Sequence, residues 1–234
     1  MEAEKLKKAV GEEASFLVES GMRLGLGTGS TVAYFLVSLS ERLARGELHD
    51  IVGVPSSIWT EERAEELGIS LTSLVENPIL DLTVDGADEV DPHLNLIKGL
   101  GGALLREKII AQASRRLAIM VDESKMVEQL GTKSPVPVEV VPFEWKVHLA
   151  FIDSMGAEAK LRVTSEGDTV VTDNGNFILD CYFETGLQLP EKFEQKLALR
   201  SGIVETGLFM QMATEVLVAK ESGPVNTLYA KQRI

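Results

Sequence analysis

The sequence predicts an α/β protein in which a parallel β-sheet is flanked by helices and a smaller α+β unit is inserted into the chain. Apolar segments alternate with amphipathic ones up to residue 125, an order typical of parallel sheets with helical crossovers. From residue 135 the order changes, and a hairpin signal at 173–175 indicates antiparallel strands. Two late apolar segments, 214–219 and 225–229, are expected to return to the first sheet.

Composition excludes several classes of partner. The 234 residues carry a formal net charge of -13, which repels nucleic acid and anionic membranes, so we expect neither as a partner. Cys181 is the only cysteine, so an internal disulfide is impossible and a reducing cytoplasm is the expected location. Residues 1–6 contain no apolar signal region, and no apolar run approaches the ~20 residues of a membrane span.

The first half of the chain reads as alternating helices and strands. Leu6, Val10 and Ala14 recur at helical spacing and predict a helix over 3–20, which Gly21 ends. A short strand from Met22 then runs into a glycine-rich loop. The same reasoning predicts helices at 32–43, 55–66 and 103–113 and strands at 51–54, 69–74, 80–85 and 117–121.

The glycine-rich loop, Gly25 to Thr31, joins a strand to a helix. Glycines let the backbone approach a ligand, and the first N–H groups of a helix attract an anion. The loop lacks the lysine of a Walker loop and the glycine spacing of a dinucleotide fingerprint. A tight turn with a capping serine and a phosphate site explain these residues about equally well.

A second polar stretch runs from Asp85 to Lys108. It holds an acidic cluster, a lysine in a glycine-rich turn and one more carboxylate, Glu107, on the following helix. The cluster fits a polar turn first, then acid/base or hydroxyl-binding groups, and a metal site last, because its spacing is not that of an EF-hand. Glu107 also fits a plain surface glutamate between two cations. Lys125 follows the 117–121 strand and should face the same carboxyl edge of the sheet.

The first predicted element of the inserted unit begins at Val138. Its expected elements are strands at 138–141, 159–163, 169–172, 177–183 and 203–206 and helices at 144–155 and 190–199. That order is typical of a split, ferredoxin-like unit. We therefore predict a Rossmann-like domain at 1–131 and 207–234 and an inserted α+β domain at 132–206.

Four segments together resemble the type A ribose-5-phosphate isomerases, from the first helix to the 214–219 strand. They are Gly25–Thr31 (GLGTGST), Val84–Glu89 (VDGADE), Lys98–Lys108 (KGLGGALLREK) and Val171–Asn176 (VTDNGN). Each segment alone is a weak signal, whereas four in the same order are specific. The resemblance implies a cofactor-free isomerase that interconverts ribose 5-phosphate and ribulose 5-phosphate through an enediol(ate), in the pentose phosphate pathway.

The resemblance also implies roles for individual residues. Glu107 matches the base that moves a proton between C2 and C1, and Lys98 matches the cation near the reacting oxygens. Asp85 and Asp88 match carboxylates that contact sugar hydroxyls and assist ring opening. Ser30 and Thr31 match the phosphate site. The other matched substrate-binding positions are Lys7, Thr28, Gly29, Gly86, Ala87, Gly99, Leu100, Gly101 and Lys125.

Leu100 departs from the family pattern, which has glycine there. If that position needed a positive φ, leucine would cost roughly 1 kcal/mol or more. We expect instead an ordinary backbone at Leu100, with the turn made by the glycines on either side.

The resemblance implies further properties of the protein, and two other functional interpretations compete with it. The resemblance implies no metal and no organic cofactor. It also implies that the Rossmann-like domain is catalytic and that the inserted domain at 132–206 serves oligomerisation, as a homodimer or homotetramer. A non-catalytic sugar-phosphate sensor of the same fold is an alternative, although no DNA-binding segment precedes residue 20 and the charge is acidic. A metal-dependent sugar-phosphate enzyme using Asp85, Asp88 and Asp91 is a third interpretation, and it predicts loss of activity on chelation.

Overall fold

A computed structural model describes residues 2–231, which group into two compact units. The first unit comprises residues up to 87 together with 106–125 and those from 211 onward, and the second comprises 88–105 and 126–210. The helices are α1 (Glu2–Ser15), α2 (Ser30–Ala44), α3 (Ile58–Glu66), α4 (Leu104–Gln112), α5 (Leu149–Asp153) and α6 (Pro190–Ala198). The strands are β1 (Arg23–Leu26), β2 (Val52–Pro55), β3 (Leu82–Gly86), β4 (Glu89–Val90), β5 (Leu96–Ile97), β6 (Leu117–Asp122), β7 (Val136–Val140), β8 (Glu158–Leu161), β9 (Phe177–Tyr182), β10 (Ile203–Thr206), β11 (Leu208–Phe209), β12 (Glu215–Ala219) and β13 (Asn226–Tyr229).

The first unit is built on a six-stranded sheet with the strand order β13-β12-β6-β3-β1-β2. Its neighbouring strands are parallel except for β13, which pairs antiparallel with β12. The chain order reverses at β1, which lies between β2 and β3. Loops at the carboxyl ends of strands beside such a reversal are where α/β sheets bind ligands. This sheet confirms the predicted parallel architecture, including the return of the two late strands.

Apolar side chains on α1, α2 and the parallel strands form the core of the first unit. Strands that helices cover must be apolar on both faces, and β6 shows this as an unbroken buried run from Leu117 to Val121. Its largest fully buried side chains include Leu24, Leu26, Phe35, Leu36, Leu39 and Leu82.

The second unit contains a four-stranded antiparallel sheet ordered β10-β7-β9-β8. The chain passes through β7, α5, β8, β9, α6 and β10 in turn, which is the βαββαβ order of a ferredoxin-like unit. Beside it, β4, β5 and β11 form a small antiparallel sheet. A separate apolar core fills this unit, with Val136, Val138, Val140, Leu179 and Leu197 at or near full burial. The predicted α+β character is therefore confirmed.

The predicted domain boundaries and the compact units divide the chain at different points. Residues 88–105, 126–131 and 207–210 lie in the second unit, although the sequence analysis placed them in the first domain. The role of 132–206 in oligomerisation stays a prediction.

Some predicted elements differ in extent. The first helix ends at Ser15, because the N–H groups of Phe16 and Leu17 bond three residues back and tighten the chain into a turn. The strand expected at 69–74 is reduced to one bridge between Leu71 and Gly53. The helix expected at 144–155 is divided into a 3₁₀ turn followed by α5.

Two further observations concern the chain as described. In residues 2–231 no helix combines the length and the apolar character that a membrane span requires. Cys181 is buried on β9, and burial raises the pKa of its thiol, so this cysteine is chemically inert at neutral pH.

His148 makes the stability of the second unit depend on pH. Burial, followed by the nearby Arg200 cation, lowers the pKa of His148 below its ordinary value of 6.5. Its ring Nδ1 accepts a hydrogen bond of 3.0 Å from Arg200 Nε, which requires that nitrogen to be unprotonated. The unfolded chain therefore takes up this proton at a higher pH than the folded protein. The contribution of His148 to stability is present above its ordinary pKa and is lost as the pH falls through the folded-state pKa.

We predict that His148→Asn flattens the fall in melting temperature between about pH 7.5 and pH 5, because asparagine keeps an acceptor for Arg200 but does not titrate. Thermal unfolding followed by circular dichroism at several pH values measures that slope. His49→Asn is the matched control, since the His49 side chain is 73% exposed and should leave the slope unchanged. Equal slopes in wild type and His148→Asn would contradict the prediction.

Candidate active site

The parallel pairing of β1 with β3 brings the glycine-rich loop against Asp85. Leu26 is level with Val84 in this pairing, so the next residues, Gly27 and Asp85, lie side by side at the carboxyl edge. The Asp85 carboxylate is buried, and its Oδ1 accepts hydrogen bonds from the backbone N–H groups of Thr28 (3.1 Å) and Gly86 (2.7 Å). A Cβ on Gly27 would lie 2.2 Å from Asp85 Oδ1, so only glycine fits.

A cluster of four hydroxyl groups fixes the same loop to the neighbouring β2–α3 connection. Thr28 Oγ1 lies 2.7 Å from Ser56 Oγ, 2.8 Å from Ser57 Oγ and 3.1 Å from Thr60 Oγ1. Thr60 Oγ1 in turn donates to the Gly27 carbonyl at 2.7 Å. The Thr28 hydroxyl therefore positions the loop. Ser57 is the N-cap of α3, and its side chain accepts a hydrogen bond from the Thr60 N–H.

The loop ends at the N-terminus of α2, where Gly29 takes the N-cap position with φ +112° and offers no capping side chain. An uncapped helix N-terminus is a favourable place for an anion. Ser30 and Thr31 open the helix, and Lys7 Nζ on α1 donates to Ser30 Oγ at 2.8 Å. The structure therefore brings Lys7 to the predicted phosphate loop, while its neighbours Lys5 and Lys8 are exposed.

The four carboxylates between residues 85 and 91 have different environments. Glu89 is fully buried and accepts backbone N–H bonds from Gly131 (2.6 Å), Lys133 (2.6 Å) and Ser134 (2.5 Å), so it anchors a loop. Asp91 holds its own turn by accepting from the backbone of His93 and from Asn95. The polar-turn interpretation is therefore correct for Asp91, whereas Asp85 contacts the first glycine-rich loop and Asp88 contacts the second glycine-rich turn.

Asp88 holds the second glycine-rich turn, from Lys98 to Gly102. Its Oδ2 accepts the Leu100 N–H at 3.0 Å. Gly99 and Gly102 have φ values of +100° and +85°, whereas Leu100 stays outside the left-handed region and its side chain is 41% exposed. The glycines on either side thus make the turn, and leucine at this position causes no backbone strain.

Lys98 and Glu107 are charged side chains at or near full burial. Lys98 is 2% exposed, and its Nζ lies 5.3 Å from the centre of the Phe209 ring in the second unit. Glu107 is in the first turn of α4 and is 4% exposed, so its interpretation as a surface glutamate is wrong. Charged groups are rarely buried this deeply unless they are paired or functional.

The remaining predicted residues lie at the ends of strands or in the turns that follow them. Gly86 ends β3 and Ala87 follows it, both half-buried, while Gly101 is exposed in the second glycine-rich turn. Lys125 closes a 3₁₀ turn directly after β6, at the carboxyl edge of the large sheet. Among the described residues, no group of three or more His, Cys, Asp or Glu side chains is arranged to hold a metal ion.

Sequence reasoning missed the supporting residues. Ser56 and Thr60 gave no signal beyond a serine pair after a strand, and their role depends on β2 lying next to β1. Arg162 and Asp180, 18 residues apart, form a buried ion pair that also reaches the second glycine-rich turn. Nothing in the sequence near Arg162 indicated this contact.

The fold and these groups define an α/β protein with buried acids, a buried lysine and an uncapped helix N-terminus. Comparison with known proteins agrees with that class. The family model described as ribose 5-phosphate isomerase A (phosphoriboisomerase A) matches residues 52–223. The chain belongs to this family.

Several relatives support the assignment along nearly the whole chain. Ribose-5-phosphate isomerase A of Chloroflexus aurantiacus is 50% identical over 219 residues, which cover 93% of this chain and 91% of the relative. Ribose-5-phosphate isomerase A of Thermococcus kodakarensis is 47% identical, covering 95% of this chain and 97% of the relative. The structure of the Plasmodium falciparum ribose 5-phosphate isomerase aligns with a TM-score of 0.95 at 40% identity, covering 98% and 100% of the two chains.

We predict that Gly27→Ala destabilises the protein by about 1–3 kcal/mol, because the new Cβ overlaps the Asp85 side chain and the backbone of β3. Urea unfolding measures the change in the free energy of unfolding. Gly101→Ala is the control, since a Cβ there meets no atom within 4 Å and the φ of Gly101 is not positive. Equal stability of the two variants would refute the close packing of Gly27 on Asp85.

Proposed function

We propose that this protein interconverts ribose 5-phosphate and ribulose 5-phosphate by moving one proton between C2 and C1. The observation that carries the proposal is the burial of Glu107. This carboxylate matches the family's base, and an ordinary surface glutamate would not be buried. A structure of a related D-ribose-5-phosphate isomerase, 44% identical with a TM-score of 0.94, is a complex with phospho-erythronic acid. That ligand carries a phosphate group on a short polyhydroxylated chain, as the substrate in this proposal does.

Glu107 acts in the proposal as the base. The C–H proton beside a carbonyl is weakly acidic, so its removal needs a base in place and stabilisation of the enolate oxygen that forms. Lys98 and the backbone N–H groups of the turn that follows it supply the stabilisation. Glu107 then returns the proton to C1 while the hydroxyl proton on O2 passes to O1, so ribose 5-phosphate becomes ribulose 5-phosphate, no cofactor is consumed and the reaction balances as an isomerisation.

The other residues bind the substrate in this proposal. The N-terminus of α2, with Ser30 and Thr31, receives the phosphate, and Lys7 adds a positive charge. Asp85 and Asp88 accept hydrogen bonds from sugar hydroxyls and assist opening of the ring. The remaining predicted contacts are Thr28, Gly29, Gly86, Ala87, Gly99, Leu100, Gly101 and Lys125.

Association between copies is part of the proposal. Apolar side chains on the surface of the second unit, among them Phe143, Val147 and Leu199, are 82%, 54% and 89% exposed and support a homodimer or homotetramer. Light scattering during gel filtration decides between these states and a monomer.

We predict that Glu107→Gln lowers kcat for ribose 5-phosphate by about 10²–10⁴-fold, because the amide cannot accept the proton. The assay is run with EDTA and followed by NMR, which also detects deuterium exchange from D₂O into substrate carbon. Glu128→Gln, at an exposed position, is the control and should keep full activity. Full turnover and exchange by Glu107→Gln would refute its role as base.

The same experiment separates the rival functions. Wild-type protein that binds ribose 5-phosphate without forming product would be a sensor. Wild-type activity that disappears with EDTA and returns with a divalent cation would indicate the metal-dependent enzyme.

We predict that Lys7→Met raises KM by about tenfold with little change in kcat, because a contact to the non-reacting phosphate stabilises ground and transition states alike. Steady-state kinetics over a range of substrate concentrations measures both constants. Lys8→Met is the matched control, because Lys8 is exposed and pairs only loosely with Glu12 at 3.7 Å. A fall in kcat with an unchanged KM would contradict a phosphate-binding role.

A further inference from the structure

Arg162 contacts the backbone of the second glycine-rich turn. It follows β8, and its Nη1 donates to the carbonyl oxygens of Gly99 (2.8 Å) and Leu100 (3.0 Å). The other side of the guanidinium pairs with Asp180 on β9, through Nε to Oδ2 at 2.9 Å and Nη2 to Oδ1. One arginine thus bridges two successive peptide groups of the turn and a carboxylate of the antiparallel sheet.

This arginine is rigidly held. The side chains of Arg162 and Asp180 are only 11% and 12% exposed, and a two-point contact between guanidinium and carboxylate fixes the plane of both groups. The backbone is fixed as well, because the Arg162 N–H donates to Ile178 at 2.8 Å and its carbonyl accepts from Val170 at 3.0 Å. The guanidinium therefore offers a preformed donor to the turn.

The two carbonyl contacts determine where the N–H groups of the turn point. In a trans peptide the N–H points opposite to the C=O. With the carbonyls of Gly99 and Leu100 both directed at Arg162, the N–H groups of Leu100 and Gly101 are both directed away from it. The contact from Leu100 N–H to Asp88 Oδ2 agrees with this orientation. Successive N–H groups that face one way form a site for a negatively charged oxygen.

We propose that Arg162, oriented by Asp180, is a positioning residue that directs the Leu100 N–H group to Asp88 and the Gly101 N–H group to the same side of the turn, where the Gly101 N–H stabilises the oxygen that becomes negative during the reaction. This inference rests on the proposed isomerase function. Arg162 touches no reacting atom and acts through the peptide groups. Its guanidinium suits the task because lysine, with a single nitrogen, cannot hold Asp180 at two points while donating to two carbonyls.

Amide hydrogen exchange tests the orientation without reference to activity. In Arg162→Met we expect the amide hydrogen of Leu100, which donates to Asp88, to exchange at least about tenfold faster, while those of Val138 and Val140 in the core strand β7 keep their rates. Unchanged exchange at Leu100 would overturn the proposal. Faster exchange throughout the unit would also overturn it, because it would show a general loss of stability.

Kinetics tests the consequence for the reaction. We expect kcat of Arg162→Met to fall by about 10- to 100-fold with KM within about threefold, because the misdirected donor acts mainly in the transition state. Arg162→Lys should recover part of kcat, since lysine keeps the positive charge and one donor nitrogen. Arg115→Met, which removes an arginine that is 68% exposed and pairs with Asp81, is the control and should match wild type.

The failures of the two proposals are distinguishable. Wild-type protein without turnover refutes the isomerase function, and with it the stabilisation of a reacting oxygen, while the exchange rates still decide whether Arg162 orients the turn. Normal turnover in wild type together with unchanged kcat in Arg162→Met refutes the positioning role alone.

Discussion

The parallel pairing of β1 with β3 is the constraint on which the large sheet's part of the site depends. It sets Gly27 beside Asp85 so closely that no other residue fits, and the Asp85 carboxylate then holds the Thr28 N–H. With the loop fixed, α2 begins at Ser30, within reach of Lys7. One strand register therefore determines where an acid, a lysine and a helix N-terminus lie.

Loops in this protein are held mainly by side chains that accept or donate hydrogen bonds to backbone. Glu89 accepts hydrogen bonds from three N–H groups. At the Gly99–Leu100 peptide, Asp88 accepts from the N–H group and Arg162 donates to the carbonyl oxygen. Glu139 accepts from Thr172 and Asn176, so the 171–176 segment, which resembled a family motif, is anchored onto β7. Buried polar groups need such partners, because an unsatisfied one costs about 1–3 kcal/mol. The 171–176 segment therefore resembles the family at residues that anchor a loop.

Elements with strong local sequence signals were predicted correctly. Errors occurred where an element or a side chain depends on contacts with segments distant in sequence. The buried run from Leu117 to Val121 could only be a covered strand, and it is one. The segment 69–74 has strand-like residues but gains only one bridge, because pairing needs a partner strand at the right register. For Glu107, local sequence allowed a surface position between two cations, and only packing decided that it is buried.

The sequence by itself determined the α/β class, the order of the elements and the residue types available for chemistry, because hydrophobic period and glycine spacing are local properties. It also supplied the four ordered segments that resemble the isomerase family, to which the chain belongs. Only the tertiary structure decided which of the clustered acids anchor loops, that Leu100 sits in an unstrained backbone, and that Arg162 reaches a turn more than 60 residues earlier in the chain. These outcomes depend on contacts between segments distant in sequence, whose distances and hydrogen-bond directions no local pattern encodes.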